Sequence, residues 1–148
     1  MKPAVAVMAR VPGAMPVKSR LHGALTAERA TALYRCVLLD RLDALARAAR
    51  TLADGAADVV LGPCDDGGDY LVGVRVSRPA LFEDIPWSTD AVLATTLARA
   101  RTLGARVVTL PAWFDVDTDD DLVRLHTAMR AAESPPARTF AFVEAPYG

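Results

Sequence analysis

The stretch VVLGPCDDGGDY, residues 59–70, constrains the fold of this chain more than any other. Two β-branched residues and a leucine predict a short buried strand that ends at Gly62-Pro63. The run Asp65-Asp66-Gly67-Gly68 then stands at the carboxyl end of that strand, where open α/β sheets bind ligands. A polar turn explains the same residues equally well, because Asp and Gly are the usual turn residues. The stretch therefore predicts an α/β sheet and leaves both a ligand-binding loop and a plain turn open.

Length and charge limit the classes of protein to consider. The chain has 148 residues, of which 52% are hydrophobic and 24% charged, and its formal net charge is −1. A chain of this length can bury about 70% of its unfolded surface around one core. The near-neutral charge gives no indication that nucleic acid or an acidic membrane is a partner. The apolar run near the amino terminus is too short for a signal peptide or a membrane span, so we expect a cytoplasmic protein.

Apolar periodicity predicts alternating strands and helices along the chain. One domain is expected over residues 1–132, with a tail over 133–148 in which TFAFV is a candidate edge strand. The segment from Tyr70 to Val76 alternates in polarity and is predicted to be a strand close to the central one and antiparallel to part of the sheet. Further strands are expected over Ala4 to Met8 and Val107 to Leu110, and a long helix over Ala27 to Arg50.

The segment that follows Trp87 is predicted to begin another helix. Ser88 and Thr89 are suited to its N-cap, Asp90 to its first turn and Gly104 to its end. Binding of a substrate phosphate is the alternative role for the two hydroxyls. Trp87 is either a core residue or an aromatic that stacks on a base or sugar.

Five of the seven residues from Asp115 to Asp121 are acidic. Thr118 is predicted to cap a helix that carries residues 119–121 in its first turn, where the helix dipole stabilises carboxylates. Asp115 and Asp117 precede that helix on an extended segment, in which alternate residues face the same side. Both carboxylates can therefore face one cation, and they are candidate metal ligands.

The loop from residue 9 to residue 23 is basic and rich in Pro and Gly. Its segment GAMPVKS differs from a P-loop, because Val17 stands where a glycine is needed and Pro16 lacks an N–H donor. Lys18 and Arg20 can nevertheless hold phosphate oxygens through charge-assisted hydrogen bonds. An exposed surface pair is the alternative.

Four segments in order, MARVPGAMPVKSRL, VVLGPCDDGGDYLVGV, LFEDIPWST and WFDVDTDDDLVRL, together resemble the bacterial DUF2064 family. These glycosyltransferase-A-like proteins are related to 2-phospholactate guanylyltransferase. The resemblance covers about Ala4 to Leu125. It implies a Rossmann-like three-layer sandwich of the nucleotide-diphospho-sugar transferase type with a mixed, mainly parallel sheet, here truncated. It also implies a bound nucleotide and a divalent metal, Mg²⁺ or Mn²⁺.

The resemblance assigns some roles by position. It implies that Arg10, Lys18 and Arg20 are the phosphate-side basic residues, that the Asp65-Asp66-Gly67-Gly68 loop contacts the substrate, and that Asp115 and Asp117 face the metal. We therefore expect Lys18, Arg20 and Asp66 to be the catalytic residues, and we add Gly13, Trp87, Ser88 and Thr89 to the candidate nucleotide- and substrate-binding residues.

One segment of the family pattern is absent. Family members carry a Gly-Ser-Asp-Ser-Pro-type segment, with a principal metal ligand, before the VVLGP strand, whereas this chain runs directly from Arg50 to Val59. Two functions follow. The first is a metal-dependent nucleotidyl- or glycosyltransferase with a nucleotide or nucleotide-sugar donor and a small-molecule acceptor. The second is a non-catalytic descendant that binds a nucleotide or a protein. The shortened sheet also predicts a homo-oligomer, because an uncovered edge invites pairing.

Overall fold

Strand β1, Val59–Pro63, lies at the centre of a three-stranded sheet in the computed structural model, which describes residues 12, 14 and 16–145. Strand β2, Asp69–Val74, pairs with β1 in antiparallel register, with Val60 opposite Gly73. Strand β3, Val107–Thr109, pairs with β1 in parallel register, with Val60 opposite Val108. The predicted second strand, close to the central one and antiparallel to part of the sheet, is therefore confirmed, and the strand it pairs with is β1.

Alternate residues of β1 serve two apolar clusters, as the two-residue period of a strand requires. Val60 packs with Ala48 and Leu52 of helix α1, Ala27–Ala53. Val59 and Leu61 pack in the other cluster with Ala100 of helix α2, Val92–Thr102. This burial on both faces explains why the VVL run contains no polar residue.

The start of α2 differs from the prediction. Its N-cap is Ala91, which makes no side-chain capping bond, and its first turn holds no acidic residue. The N-cap prediction for Ser88 and Thr89, with Asp90 in the first turn, is therefore wrong. The hydroxyl of Thr89 accepts a bond from the backbone N–H of Ala91 at 3.3 Å and donates to the carbonyl of Pro86 at 2.7 Å, so it stabilises a turn before the helix. Gly104 follows the helix with φ of 63°, as predicted for its end.

The described residues divide into two compact units. Residues 44–114 form the sheet unit, and residues 12, 14, 16–43 and 115–145 form the helical unit. In the helical unit, helix α3 spans Asp119–Ala131 and is capped by Thr118, as predicted. Thr118 and Asp121 form a reciprocal capping box, which accounts for one of the acidic residues of the first turn.

The tail contradicts the predicted edge strand. Helix α4, Ala137–Glu144, contains the whole TFAFV segment. Its Thr139 is fully buried, and both its N–H and its hydroxyl donate to the Asp40 carboxylate, at 2.8 Å and 2.7 Å. Arg130 of α3 also pairs with Glu144 at 2.8 Å. These contacts with α1 and α3 stabilise the segment as a helix. In the helix, the N–H and hydroxyl of the buried Thr139 have a hydrogen-bond acceptor, as buried polar groups require.

Several predictions stay open or are met only in part. An α/β fold with a small mixed sheet is confirmed, whereas the mainly parallel three-layer sandwich stays a prediction because the described strands form one parallel and one antiparallel pair. The predicted strand from Ala4 to Met8, together with Arg10 and Gly13, lies outside the described residues. None of the helices in the described part of the chain has the length and apolar character that a membrane span requires.

Candidate functional site

The loop Cys64–Gly68 joins β1 to β2 as a tight turn held by its own backbone. The N–H of Cys64 donates to the carbonyl of Gly68 at 2.9 Å, and the N–H of Gly67 donates to the carbonyl of Cys64 at 3.3 Å. Within the turn, the N–H of Gly68 donates to Oδ1 of Asp66 at 2.9 Å. The N–H of Asp65 donates to the carbonyl of Trp113 at 3.1 Å, which fastens the loop beside the chain that follows β3. The loop is therefore a fixed turn.

Gly67 has a packing role in this turn. Its φ of 85° lies in the region that favours glycine, and its carbonyl accepts a bond from the N–H of Leu93 at 2.9 Å. A Cβ on this residue would lie 2.0 Å from the carbonyl oxygen of Asp90. The missing side chain thus allows the turn to approach the start of α2, while the predicted approach of a ligand to Gly67 stays a prediction.

An open pocket of about 390 Å³ lies beside this turn in the sheet unit. The structure brings five predicted site residues into its lining and adds three that were not predicted. The predicted ones are Asp66, Gly68, Trp87, Ser88 and Thr89, and the added ones are Asp69, Asp90 and Val92. Asp65 and Gly67 do not line it. Trp87 is 57% exposed, which excludes the alternative prediction that it is a core residue.

Asp69 is one of the three pocket residues that sequence reasoning missed. Its Oδ2 atom is buried and has no hydrogen-bond partner within the described part of the chain. Burial raises the pKa of this carboxyl group, because a low-dielectric environment disfavours the charged form. Its place as the first residue of β2, immediately after the two glycines, is the only sequence signal that could have indicated it.

In the helical unit, Lys18 and Asp117 form an ion pair. Nζ of Lys18 lies 2.7 Å from Oδ1 of Asp117, although the two residues are 99 positions apart. The Lys18 side chain is only 19% exposed, and its backbone has φ of 52°, an uncommon conformation for a residue other than glycine. The chain thus holds this lysine in a costly conformation that places its ammonium on the carboxylate. Arg20 lies in the short 3-10 turn Ser19–Leu21 and is exposed.

The segment before α3 has the alternation that the sequence predicts. Val116 is 3% exposed, whereas Asp115 is exposed and Asp117 is half-buried, so both carboxylates lie on the side opposite to Val116. The backbone N–H of Asp117 donates to Oδ2 of Asp121 at 3.0 Å. This bond, with those from Thr118, holds the pKa of Asp121 below its usual range. Asp121 therefore serves the helix cap, and Asp115 and Asp117 remain the candidate cation ligands.

Two carboxylates are too few to bind a divalent metal alone, so a metal fits here only if a bound substrate supplies further oxygen ligands. Within residues 12, 14 and 16–145, no three His, Cys, Asp or Glu side chains are placed to hold a metal together. Mg²⁺ is commonly bound by one or two protein carboxylates together with substrate phosphates. The Lys18 ammonium already neutralises Asp117, so a metal would replace that contact.

Residues 37–89 match the model of DUF2064, a family described as uncharacterized protein conserved in bacteria. No protein with a curated description matches the chain at a significant level. A crystal structure from Desulfovibrio desulfuricans G20, named "putative nucleotide-diphospho-sugar transferase", matches with a TM-score of 0.59 and 21% sequence identity, over 90% of this chain and 89% of that chain.

At this level of identity, the structural match shows a shared fold. The matched family segment contains the central strand, the glycine turn and the residues up to Thr89, which carry two of the four motifs. The family match over residues 37–89 and the shared fold together confirm the resemblance of this chain to DUF2064 proteins of glycosyltransferase-A-like fold.

Proposed function

We propose that this protein is a transferase that uses a nucleotide or nucleotide-sugar donor and a divalent metal. The observation that supports the proposal is the Lys18–Asp117 ion pair, in which a candidate phosphate-binding ammonium lies 2.7 Å from a candidate metal-binding carboxylate. The shared fold with the Desulfovibrio protein, whose name refers to nucleotide-diphospho-sugars, supports the same class of donor.

In the helical unit, the basic residues bind the phosphate groups of the donor and the acidic residues bind the metal. When a donor binds, Lys18 and Arg20 contact its phosphate oxygens through charge-assisted hydrogen bonds. Asp115 and Asp117 would hold Mg²⁺ or Mn²⁺, and the metal would supply positive charge against the phosphate oxygens of the donor. Lys18 therefore exchanges one anion for another, from the Asp117 carboxylate to the phosphate.

The Trp87 pocket, defined by the eight lining residues given above, is a separate candidate binding site within the sheet unit. Asp66 is its candidate proton acceptor for a bound small molecule. Asp66 is exposed, and only its Oδ1 is engaged by Gly68, so it can accept a hydrogen bond from a bound molecule.

A non-catalytic descendant is the second candidate. The absent Gly-Ser-Asp-Ser-Pro-type segment favours it, as does the ion pair itself, because Lys18 can stand permanently in place of the metal. Such a protein would bind a nucleotide without metal or bind a protein partner instead. Self-association and a cytoplasmic location are also predictions for either candidate.

Calorimetric titration of Asp117→Asn tests the first proposal. Nucleoside diphosphates with Mn²⁺ are titrated into the wild type and the variant, and affinity is expected to fall about tenfold or more, because the change removes one negative charge from the metal site. Folding is expected to survive, since Asp121 retains the capping box and residues 119–121 keep their charges.

Asp120→Asn is the matched control. This exposed residue lies in the same acidic run and is expected to leave affinity within about twofold, because the charge of a helix first turn is worth only roughly 0.3–1 kcal/mol. Equal affinities of wild type and Asp117→Asn would exclude Asp117 from the site. Nucleotide binding with the same affinity in the presence and absence of Mn²⁺ would favour the non-catalytic descendant. No nucleotide binding to the wild type would contradict both the transferase and the nucleotide-binding descendant.

A further inference from the structure

The Lys18–Asp117 ion pair joins two backbone segments that are each fixed by buried neighbours. Val17 precedes Lys18 and Leu21 ends the 3-10 turn that follows it, and both side chains are buried. Val116, which precedes Asp117, is buried as well. The two charged groups therefore stay close to each other even when the contact between them is broken.

The Asp117 carboxylate occupies the ammonium group that the proposed function assigns to phosphate. Nζ of Lys18 lies 2.7 Å from Oδ1 of Asp117, and the Lys18 side chain is largely shielded from solvent. A carboxylate and a phosphate accept charge-assisted hydrogen bonds from an ammonium in the same way. Because the carboxylate belongs to the same molecule, its effective concentration at the ammonium is about millimolar or more, and a free phosphate must displace it.

A divalent cation changes this competition, because Asp117 is the more open partner of the pair. Its side chain is 43% exposed, against 19% for Lys18. A cation on Asp117 leaves the Lys18 ammonium without an anion, and phosphate supplies one. The free energy of breaking the pair is spent once when cation and phosphate bind together, but in full by either ligand alone. Binding of the two ligands is thus coupled.

We propose that the Asp117 carboxylate is an internal competitor of phosphate, which keeps Lys18 from binding phosphate until a divalent cation binds the carboxylate. The inference rests on the proposed function, because it takes the roles of Lys18 and Asp117 from there. It adds an effect of opposite sign: Asp117 strengthens phosphate binding when metal is present and weakens it when metal is absent. A residue that only binds metal has no such effect without metal.

Calorimetric titration of inorganic pyrophosphate in the presence of a metal chelator tests the proposal. Asp117→Asn keeps the shape of the side chain and removes its charge, so Lys18 is released. Affinity for pyrophosphate without metal is expected to rise about fivefold or more over that of the wild type. With Mn²⁺ in place of the chelator, the affinity of the wild type is expected to rise about tenfold or more, and that of the variant much less.

Two further variants make the result specific to the ion pair. Asp120→Asn removes one negative charge from an exposed residue of the same acidic run, and its affinity without metal is expected to stay within about twofold of the wild type. The double variant Lys18→Met/Asp117→Asn is expected to lose the gain, because it has no ammonium to release. Circular dichroism checks that each variant folds, and Asp117→Ala removes the same carboxylate if Asp117→Asn does not fold.

Four results would overturn the proposal. The first is a metal-free affinity of Asp117→Asn equal to or below that of the wild type. The second is an equal gain in Asp120→Asn, which would show a general effect of net charge. The third is a gain that survives in the double variant, which would place the pyrophosphate away from Lys18. The fourth is no binding of pyrophosphate to any variant.

The nucleotide titration described above fails or succeeds separately from this one. Nucleotide binding that depends on Mn²⁺ and Asp117, without a metal-free gain in Asp117→Asn, would keep the transferase and remove the internal competitor. A metal-free gain for pyrophosphate, without nucleotide binding to the wild type, would support the competitor and contradict the nucleotide donor.

Discussion

The two ends of strand β1 carry aspartates in opposite situations. Asp58 precedes β1, Arg106 precedes the parallel strand β3, and Arg75 follows the antiparallel strand β2. The register of the sheet therefore brings all three residues to one end. There, both arginines donate to the Asp58 carboxylate, with Nε of each at 3.1 Å and the backbone N–H of Arg106 also at 3.1 Å.

At the other end of β1, the carboxylates lack such partners. Asp69 has a buried oxygen without a hydrogen bond in the described residues, and Asp66 is engaged through one oxygen by its own turn. The same residue type is thus fully hydrogen-bonded at one end and only partly so at the other. The difference makes Asp58 a structural residue and leaves Asp66 and Asp69 as candidate binding groups.

The pKa values follow this difference. Hydrogen bonds from Arg106 and then Arg75 hold the pKa of Asp58 well below its usual range, whereas burial raises the pKa of Asp69. As pH rises, Asp58 must therefore increase the free energy of unfolding, whereas Asp69 must decrease it. Substitutions at the two ends can confirm or contradict this contrast.

Asp58→Asn is expected to give the largest loss of stability. The change removes the negative charge between Arg75 and Arg106 and leaves two guanidinium groups without a counter-ion at the strand end. The urea midpoint at neutral pH is expected to fall further than for any other substitution considered below. A midpoint equal to that of wild type would show that the paired end of β1 is no more structural than the pocket end.

The pH dependence of this variant sharpens the same contrast. Because the folded-state pKa of Asp58 is lowered, its stabilisation is present above the unfolded-state pKa, near 4, and is lost as pH falls below it. The wild type should therefore lose more stability on acidification than Asp58→Asn. Asp84→Asn is the matched control, because Asp84 is 91% exposed in its pair with Arg99, and its loss should not exceed about 1 kcal/mol.

Gly67→Ala is expected to have the next largest effect, at the pocket end. The substitution places a Cβ on a residue with φ of 85° and 2.0 Å from the Asp90 carbonyl, so the turn or α2 must shift. A cost of about 2–4 kcal/mol is expected from the combined backbone strain and overlap. Chemical denaturation measures it.

Gly55→Ala separates strain from overlap. Gly55 has φ of 71° but no atom within 4 Å of an added Cβ, so only the backbone cost of about 1 kcal/mol is expected. Equal losses for the two glycine variants would show that the approach of the turn to α2 is not tight, and would remove the packing role assigned to Gly67.

The parts of the fold that the sequence predicts correctly depend on local patterns. The VVL run, the strand after the two glycines and the cap at Thr118 are all determined by residues a few positions apart. The TFAFV segment fails for the opposite reason. Its alternation suits a strand, but Asp40, 99 positions away, bonds the N–H and hydroxyl of Thr139 and holds a helix.

The start of α2 shows a limit of capping rules. Ser88 and Thr89 are good N-cap residues, yet Ser88 has φ of 63° and Thr89 bonds Pro86 and Ala91, so both belong to a turn. Side-chain hydroxyls serve turns and caps through the same bonds, and no local rule distinguishes them.

The residues of the candidate sites could be predicted from the sequence, but the contacts that they make could not. The sequence indicates Lys18, Asp117 and Trp87 separately, by charge, alternation and aromatic type. The 2.7 Å ion pair between Lys18 and Asp117 joins segments 99 positions apart, and the missing partner of Asp69 depends on what surrounds it. Such pairing is a property of tertiary structure, which no short pattern contains.

Asp69→Asn is expected to have the smallest effect on stability, and an effect of opposite sign to that of Asp58→Asn. Because the folded-state pKa of Asp69 is raised, the native state loses stability as pH rises through that pKa, and the penalty persists at neutral pH. Asparagine removes the charge, so the variant should be more stable than wild type at neutral pH by about 0.5 kcal/mol or less, a small value because solvent screens a partly exposed group. The gain should disappear at acid pH, where Asp69 is protonated in both states. Urea denaturation across this pH range measures the difference, and a variant that is less stable than wild type at neutral pH would show that the Asp69 carboxylate, like that of Asp58, has a stabilising partner.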